Sequence, residues 1–185
     1  MINQIFWSIQ LILYFFTPNA SQLKIKNPKM TAFMKLRLSQ YPNLNFRKNF
    51  IYLKNIDKKL IHAVIIREDF NFWNHKGFDL EQIKNAFIKN IISGRWKNGA
   101  STLTQQLSKN LYLSPKKSLF RKNIEFLIAL KLEKYLTKER ILELYLNLIE
   151  LGNGIFGVES ASQVFFGHSC EILSVLEVAQ ITSII

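Results

Sequence analysis

The sequence predicts a mainly α-helical fold, and three observations support that prediction. Residues that cap helix N-termini recur ahead of stretches in which apolar residues return every three or four positions. No stretch shows the strict alternation of apolar and polar residues that is typical of a half-buried strand. An apolar fraction of 48% over 185 residues is sufficient for one domain with a hydrophobic core.

The first of these helices begins at Asp79, whose side chain can cap the backbone at Gln82. Gly94 is a typical C-terminal stop for it. Its apolar residues fall on one helical face, and they are Leu80, Ile83, Phe87 and Ile91. We therefore expect a helix between Asp79 and Gly94 with one apolar face.

Three more helices are predicted downstream. Ser114 and Pro115 indicate the start of the second, whose apolar residues are Phe120, Ile124, Leu127, Ile128, Leu130 and Leu132. Thr137 can cap the third, and its inward-facing residues are Ile141, Leu144, Tyr145 and Leu148. Ser174 and Glu177 form a capping box for the last, which stays apolar as far as Ile185.

The N-terminal residues indicate an association with a membrane. Residues 1–23 carry no charged side chain, and the run from Ile5 to Phe16 is apolar except at Ser8 and Gln10. That run is shorter than the ~20 apolar residues that a spanning helix needs. We interpret residues 1–21 as a short membrane anchor or signal-like segment.

A basic stretch follows over residues 22–60, with ten Lys or Arg residues and one acid, Asp57. Beside an anchor, such a stretch is attracted to anionic headgroups, although a solvated basic face explains it equally well. Because no Lys or Arg precedes the apolar run, the positive-inside bias argues for a C-terminal part in the cytoplasm. We expect residues 61–185 to form the main domain.

Net charge and cysteine content narrow the class of partner and site. The chain carries a net charge of +12, which suits an anionic partner such as nucleic acid, anionic lipid or a phosphate-bearing substrate. A general bias toward Lys accounts for part of that charge. Because there is one cysteine, Cys170, the sequence excludes an internal disulfide and a thiolate metal site.

The strongest candidate for chemistry is the stretch REDFNFWNHKGFD over residues 67–79. It places adjacent carboxylates, Glu68 and Asp69, beside a histidine and among four aromatic side chains. A carboxylate in apolar surroundings holds a proton more readily than one in water, which is how a glutamate becomes a base near neutral pH. Taken alone, the stretch is equally well explained as an ordinary loop leading into a helix.

Four more blocks follow in order: GASTLTQQLSKN (99–110), RKNIE (121–125), KERILELYLN (138–147) and GNGIFG (152–157). Together the five blocks resemble the five motifs of the peptidoglycan glycosyltransferases. These are lysozyme-like glycan polymerases found in class A penicillin-binding proteins and in monofunctional transglycosylases. The resemblance covers residues 60–185. It implies a lysozyme-like glycosyltransferase domain with an N-terminal membrane anchor, on a chain that we expect to be truncated at its C-terminus.

The resemblance implies a role for each block. Glu68 matches the general base, and Glu125 the second important glutamate, near the leaving diphosphate. The implied substrate-binding residues are Asp69, Phe72, His75, Ser101, Thr102, Gln105, Gln106, Lys109, Asn110, Arg121 and Lys122. The fourth and fifth blocks are expected to be structural: Glu143 and Asn147 would brace the site, and glycines would allow close backbone approach.

The implied reaction joins a lipid-linked glycan to lipid II on the outer side of the cytoplasmic (inner) membrane, with a single-pass anchor. No tightly bound cofactor or protein-held metal is expected. A divalent cation, Mg²⁺ or Mn²⁺, is a candidate requirement of the reaction. Nucleic acid is not an expected partner. The expected protein partners are penicillin-binding proteins and division or elongation proteins, since cross-linking needs a partner.

Two other functions remain open at the level of sequence. A lysozyme-like hydrolase or lytic transglycosylase also uses a catalytic glutamate at a helix end. A truncated, inactive copy that only binds lipid-linked glycan is the non-enzyme alternative. The basic residues around Glu125 suit a diphosphate better than a water molecule.

Overall fold

The computed structural model describes residues 2–94, 99–116 and 118–185, and helices dominate them. The α-helices in this part of the chain are α1 (Ile2–Phe16), α2 (Ala32–Gln40), α3 (Lys58–Glu68), α4 (Leu80–Ser93), α5 (Leu103–Tyr112), α6 (Leu119–Tyr135), α7 (Lys138–Leu148), α8 (Val158–Phe166) and α9 (Val175–Ile184). Short 3-10 turns lie at Ser21–Lys24 and Leu53–Asn55. The prediction of a mainly α fold is confirmed.

A small sheet lies beside the helices. Its strands are β1 (Arg47–Lys48), β2 (Glu150–Gly152) and β3 (Ile155–Phe156), in the order β1-β3-β2. β3 pairs in parallel with β1 and antiparallel with β2. The sequence did not predict these strands, because two or three residues are too few to show alternation.

Helix starts follow the predicted caps with one exception. The side chains of Asp79, Thr137 and Ser174 each accept a hydrogen bond from the backbone N–H three residues later. The prediction that Ser114 and Pro115 start a helix is wrong, because α6 begins after Ser118, whose hydroxyl accepts from the Arg121 N–H. Gly94 ends α4 in the left-handed conformation, as predicted.

Helix α5 lies at the centre of the core, packed against α2, α6 and α7. The cluster of buried apolar side chains runs without a break from Ala20 and Leu23 to Ile181. Residues of the basic stretch, such as Met34 and Ile56, are therefore part of this core. The core thus includes side chains on the N-terminal side of residue 61, the predicted start of the main domain, and the boundary itself stays a prediction.

The apolar face of α4 is not buried. Leu80, Phe87 and Ile91 are all more than half exposed, so the apolar face that the sequence indicates for this helix does not pack on the core. Periodicity predicts that a helix has an apolar face, but it does not say what covers that face. The inward face predicted for α7 is confirmed, since Ile141, Leu144, Tyr145 and Leu148 are buried.

Helix α1 packs against α6. Lys131 of α6 donates to the Thr17 carbonyl at 2.6 Å, and its ammonium lies 4.7 Å from the centre of the Tyr14 ring. Asn123 donates to the Gln10 side chain at 3.0 Å. With 15 residues, α1 is ~22 Å long, less than the ~30 Å hydrocarbon core. Among the described residues, none of the helices combines the length and apolar character needed to cross a bilayer, so the predicted anchor is not confirmed.

Two side chains of α7 brace the segment that leads into α3. The Asn147 amide accepts from the Ile51 N–H and donates to the Ile51 carbonyl, both at 2.8 Å. Glu143 accepts from the Leu53 N–H at 2.7 Å. The predicted bracing role is confirmed, and it fixes the start of the helix that carries Glu68.

Close backbone approach, predicted for the fifth block, is clearest at Gly157. Its φ is +84°, and a Cβ there would lie 2.7 Å from the Asn147 carbonyl oxygen. Gly167, which ends α8, has a similar φ of +79°, but a Cβ there would have no atom of the described residues within 4 Å. The two glycines therefore separate backbone strain from steric contact.

Gly157→Ala is expected to lower the free energy of unfolding by about 3 kcal/mol or more, because it adds a backbone clash to the strain of a positive φ. Gly167→Ala carries the strain alone and should cost about 1 kcal/mol. Urea unfolding of both variants measures the difference. Equal costs would contradict the close approach at Asn147.

Candidate active site

Glu68 is the last residue of α3. Leu60 and Val64 bury one face of this helix in the core, and Asp69 leaves the helical conformation directly after it. The Glu68 carboxylate accepts a hydrogen bond from the Gln106 side-chain amide at 3.0 Å. Its other oxygen lies 3.6 Å from the Arg67 guanidinium, and 18% of the side chain is exposed.

The surroundings of Glu68 differ from the apolar pocket that the sequence predicted. Phe70 is 76% exposed, and Phe72 is buried with its ring edge-on to Trp73 and His75. The groups that contact the Glu68 carboxylate are instead an amide and a guanidinium. Both contacts are polar, and they orient the carboxylate.

Asp69 is fully buried and joins three segments of the chain. Its carboxylate accepts from the His75 Nε2 at 2.9 Å and from the Leu103 N–H at 2.9 Å. Leu103 is the first residue of α5, where backbone N–H groups lack helical partners and the helix dipole favours negative charge. The end of α3, the loop after it and the start of α5 are thereby held together.

His75 contacts Asp69 on one side and the loop backbone on the other. The Gly77 N–H donates to Nδ1 at 3.1 Å, so Nδ1 is unprotonated and we assign the proton to Nε2, which donates to Asp69. The Lys138 ammonium lies 3.5 Å from Nδ1 and 4.5 Å from the centre of the Phe72 ring. These contacts support a structural role for His75, which is the usual role of an isolated histidine.

The second block forms the start of α5. Thr102 caps the helix by accepting from the Gln105 N–H, and the Gln105 side chain accepts from the Thr102 N–H. The Thr102 hydroxyl donates to the Gly77 carbonyl at 2.8 Å, and Gly77 has a φ of +93°. The positive φ explains why a glycine is needed in the loop, and a Cβ there would also lie 3.3 Å from the Ala129 carbonyl oxygen of α6.

A second charged group lies at the start of α6. Glu125 is only 3% exposed at its side chain, and each of its oxygens is contacted by a cation. Arg121 donates to one oxygen at 2.6 Å, and the Lys122 ammonium pairs with the other. A surface ion pair, which contributes little, is therefore excluded.

This group has more positive than negative charge. Lys109 is close enough to interact with it, and burial lowers the pKa of the Lys109 ammonium, opposed by Glu125 and reinforced by Arg121 and Lys122. The Arg121 Nε is buried and has no hydrogen-bond partner among the described residues. A buried donor without a partner is unfavourable, and an anion bound here would accept from it.

Helix α5 connects the two charged groups. Gln106 contacts Glu68, and Lys109, three residues on and therefore on the same helical face, interacts with Glu125. Just before the helix, the Ser101 hydroxyl accepts from Lys122 at 2.7 Å. The structure thus brings Glu68, Gln106, Lys109 and the Arg121–Lys122–Glu125 group to one side of α5.

The remaining predicted site residues are engaged inside the protein. Asp69, Phe72, His75, Thr102 and Gln105 have their polar atoms or rings in the contacts described above, and Asn110 is buried on α5. Their geometry supports positioning roles, while direct substrate contact by these residues stays a prediction.

Sequence reasoning did not identify Glu133. It accepts from the Thr104 hydroxyl at 2.6 Å and from Lys138 at 2.8 Å, which ties α6 to α5 and α7. Glu133 and Lys138 are five residues apart across a helix break, and that spacing is not a helical pair. No signal in the sequence could have paired them.

The comparison with known families agrees with this arrangement. The model of the Transglycosylase family matches residues 35–185. The chain belongs to the transglycosylase family. The match begins within α2, so most of the basic stretch is part of the family domain, in agreement with its place in the core.

Related proteins match most of this chain. A biosynthetic peptidoglycan transglycosylase of Azoarcus sp. (strain BH72) is 42% identical over 159 residues, covering 84% of this chain and 69% of the relative. Proteins of the same name from Nitrosospira multiformis and Nitrosomonas europaea are 39% and 44% identical. These matches cover 97% and 86% of this chain and 76% and 67% of the relatives, respectively.

Asp69→Asn is expected to lower the free energy of unfolding by about 3 kcal/mol, because it weakens a fully buried pair and a charge-assisted helix cap. Asp79→Asn is the matched control, since asparagine caps a helix as well as aspartate does, and it should cost less than about 1 kcal/mol. Urea unfolding measures both. Similar losses in the two variants would contradict the special role of Asp69.

Proposed function

We propose that this chain polymerises lipid II into glycan strands for the bacterial cell wall, with inversion at the anomeric carbon and release of undecaprenyl diphosphate. The observation that carries the proposal is the pairing of two charged groups on one side of α5. One group is the Glu68 carboxylate with its donor amide, and the other is an excess of cations around Glu125. Membership of the transglycosylase family and the names of the relatives agree with it.

Glu68 acts as the general base in this reaction. The 4-hydroxyl of the acceptor sugar attacks the anomeric carbon of the donor, and Glu68 takes the hydroxyl proton. The new carbon–oxygen bond forms as the bond from the anomeric carbon to the phosphate oxygen breaks. Gln106 and Arg67 contact the carboxylate and orient it for the transfer.

The diphosphate leaves toward Arg121, Lys122 and Lys109. Negative charge develops on the phosphate oxygens as the bond breaks, and nearby cations in a partly buried site stabilise it. The Arg121 Nε, which has no hydrogen-bond partner among the described residues, can donate to such an oxygen. Glu125 holds Arg121 and Lys122 in place and reduces the repulsion between them.

The donor set does not fit a metal ion held by the protein. Both oxygens of Glu125 are taken by cationic side chains, whereas Mg²⁺ needs free carboxylate oxygens. Throughout residues 2–94, 99–116 and 118–185, His, Cys, Asp and Glu side chains form no group of three that could hold a metal. A divalent cation, Mg²⁺ or Mn²⁺, that the diphosphate of the substrate brings to the site stays a prediction.

Hydrolysis of finished peptidoglycan is the competing enzyme function. A hydrolase needs a second carboxylate that is free to activate water or to act as a nucleophile. Glu125 is occupied by two cations, and Asp69 by His75 and a helix N-terminus. The geometry favours a diphosphate leaving group.

Glu68→Gln is expected to reduce polymerisation of lipid II by at least about a hundredfold, because the amide cannot accept the proton. Polymer length on gels and release of undecaprenyl diphosphate measure the activity, and circular dichroism checks the fold. Arg67→Gln keeps the base and is the control, with a smaller loss. Release of muropeptides from sacculi, without polymer from lipid II, would contradict the proposed function.

We also propose that the protein works at the surface of the inner membrane. Large apolar side chains are exposed along α1, α4 and the start of α6, including Leu11, Phe15, Ile92 and Leu119. α1 packs on α6, and Phe78, directly before α4, contacts Phe126 of α6 with ring centres 5.0 Å apart. Exposed apolar surface near a lipid-substrate site suits a bilayer.

The double variant Ile92→Asn/Leu119→Asn is expected to weaken binding to phospholipid vesicles by about tenfold or more, because two apolar side chains that are 80% and 92% exposed are lost. Ile172→Asn/Val175→Asn removes two side chains with exposures of 81% and 76% near α9 and should not change binding. Vesicle flotation measures the bound fraction. Equal effects of the two double variants would contradict a membrane-facing surface at α4 and α6.

Partnership with penicillin-binding, division or elongation proteins stays a prediction.

A further inference from the structure

Tyr145 lies outside the two charged groups, but the Gln106 side chain connects it to Glu68. This residue of α7 is fully buried, and its hydroxyl donates to the Gln106 side-chain carbonyl at 3.0 Å. The amide nitrogen of the same Gln106 donates to the Glu68 carboxylate at 3.0 Å. Three residues from three helices therefore form one hydrogen-bond chain that ends on the base.

We propose that Tyr145 is a positioning residue for the transfer reaction, which orients the Gln106 amide so that its N–H group faces Glu68. This inference rests on the proposed function of Glu68 as the base. Tyr145 touches neither substrate nor the reacting atoms, and acts only through Gln106.

A side-chain amide has a donor group and an acceptor group of nearly the same shape. Gln106 can present either its NH₂ group or its carbonyl oxygen to Glu68, and the two orientations fill nearly the same space. The NH₂ group stabilises the ionised carboxylate, whereas the carbonyl oxygen repels it. A tyrosine hydroxyl that donates to the carbonyl selects the productive orientation.

The Tyr145 hydroxyl is well suited to donate. Burial, together with the negative charge of Glu68, raises the pKa of Tyr145, so the hydroxyl keeps its proton throughout the working range of pH. The other charged groups near the chain are Arg67 and Asp69. The Arg67 guanidinium is itself fixed by the Thr182 carbonyl of α9, and Asp69 by His75 and Leu103. Of the described contacts of Glu68, Gln106 is thus the one whose polarity can reverse by a simple flip.

Tyr145→Phe tests the proposal, since it removes the hydroxyl and keeps the ring in the core. We expect kcat for lipid II polymerisation to fall by about tenfold or more, with KM within about twofold, because the base is misplaced while substrate contacts remain. An unchanged kcat would overturn the proposal.

Tyr112→Phe is the matched control. Tyr112 is a half-buried tyrosine of α5, outside the site, and burial also raises its pKa. The same loss of a hydroxyl there should leave kcat unchanged. If both variants lower kcat equally and lose the same thermal stability, Tyr145 has only a structural role.

Two further measurements separate this inference from the proposed function. In a double-mutant cycle, Gln106→Met and Gln106→Met/Tyr145→Phe should have equal kcat, because Tyr145 acts only through Gln106; multiplied losses would overturn the inference. Without any turnover, NMR of the Gln106 side-chain NH₂ group, assigned with Gln106→Met, should show a changed signal in Tyr145→Phe, because the NH₂ group is no longer held toward Glu68. An unchanged signal would overturn the inference, whereas a wild type that makes no polymer would overturn only the proposed function.

Discussion

The site depends first on the burial of the Asp69 carboxylate. A buried charge is tolerated only when donors surround it, and here the donors come from different segments: the His75 ring and the Leu103 N–H at the start of α5. Satisfying one carboxylate therefore fixes the end of α3 against the beginning of α5. Because Glu68 precedes Asp69 and Gln106 follows Leu103 by one turn, the same constraint sets the contact between the base and its amide.

Helix α5 has one face in the core and another face toward the two charged groups. Leu103, Leu107 and Leu111 are buried in the core, at spacings of four residues. Gln106 and Lys109, on another face, reach the two charged groups. The distance between base and leaving-group side is consequently set by one rigid element, and rigid elements hold reacting groups more accurately than loops do.

The two charged groups differ in a way that matches a transfer from a diphosphate. Near Glu68, one guanidinium and one amide contact a carboxylate that can accept a proton. Around Glu125, three cations meet one carboxylate, and a buried Arg121 donor has no partner in the described part of the chain. This excess of cations can stabilise a departing anion, and one turn of α5 separates Gln106 at the first group from Lys109 at the second.

The sequence by itself determined the helices, because caps such as Asp79 and Thr137 and the periodicity of α7 are local properties. It also determined which residues carry charge in the site, since the blocks around Glu68 and Arg121 are contiguous. Only the tertiary structure decided how those charges are used. Asp69 and Leu103 are 34 positions apart, and Gln106 and Tyr145 are 39 apart, and no local pattern encodes such pairs. The exposure of α4 and the polar surroundings of Glu68 were likewise decided by packing, because periodicity and composition describe the side chains of a segment and not the groups that pack against them.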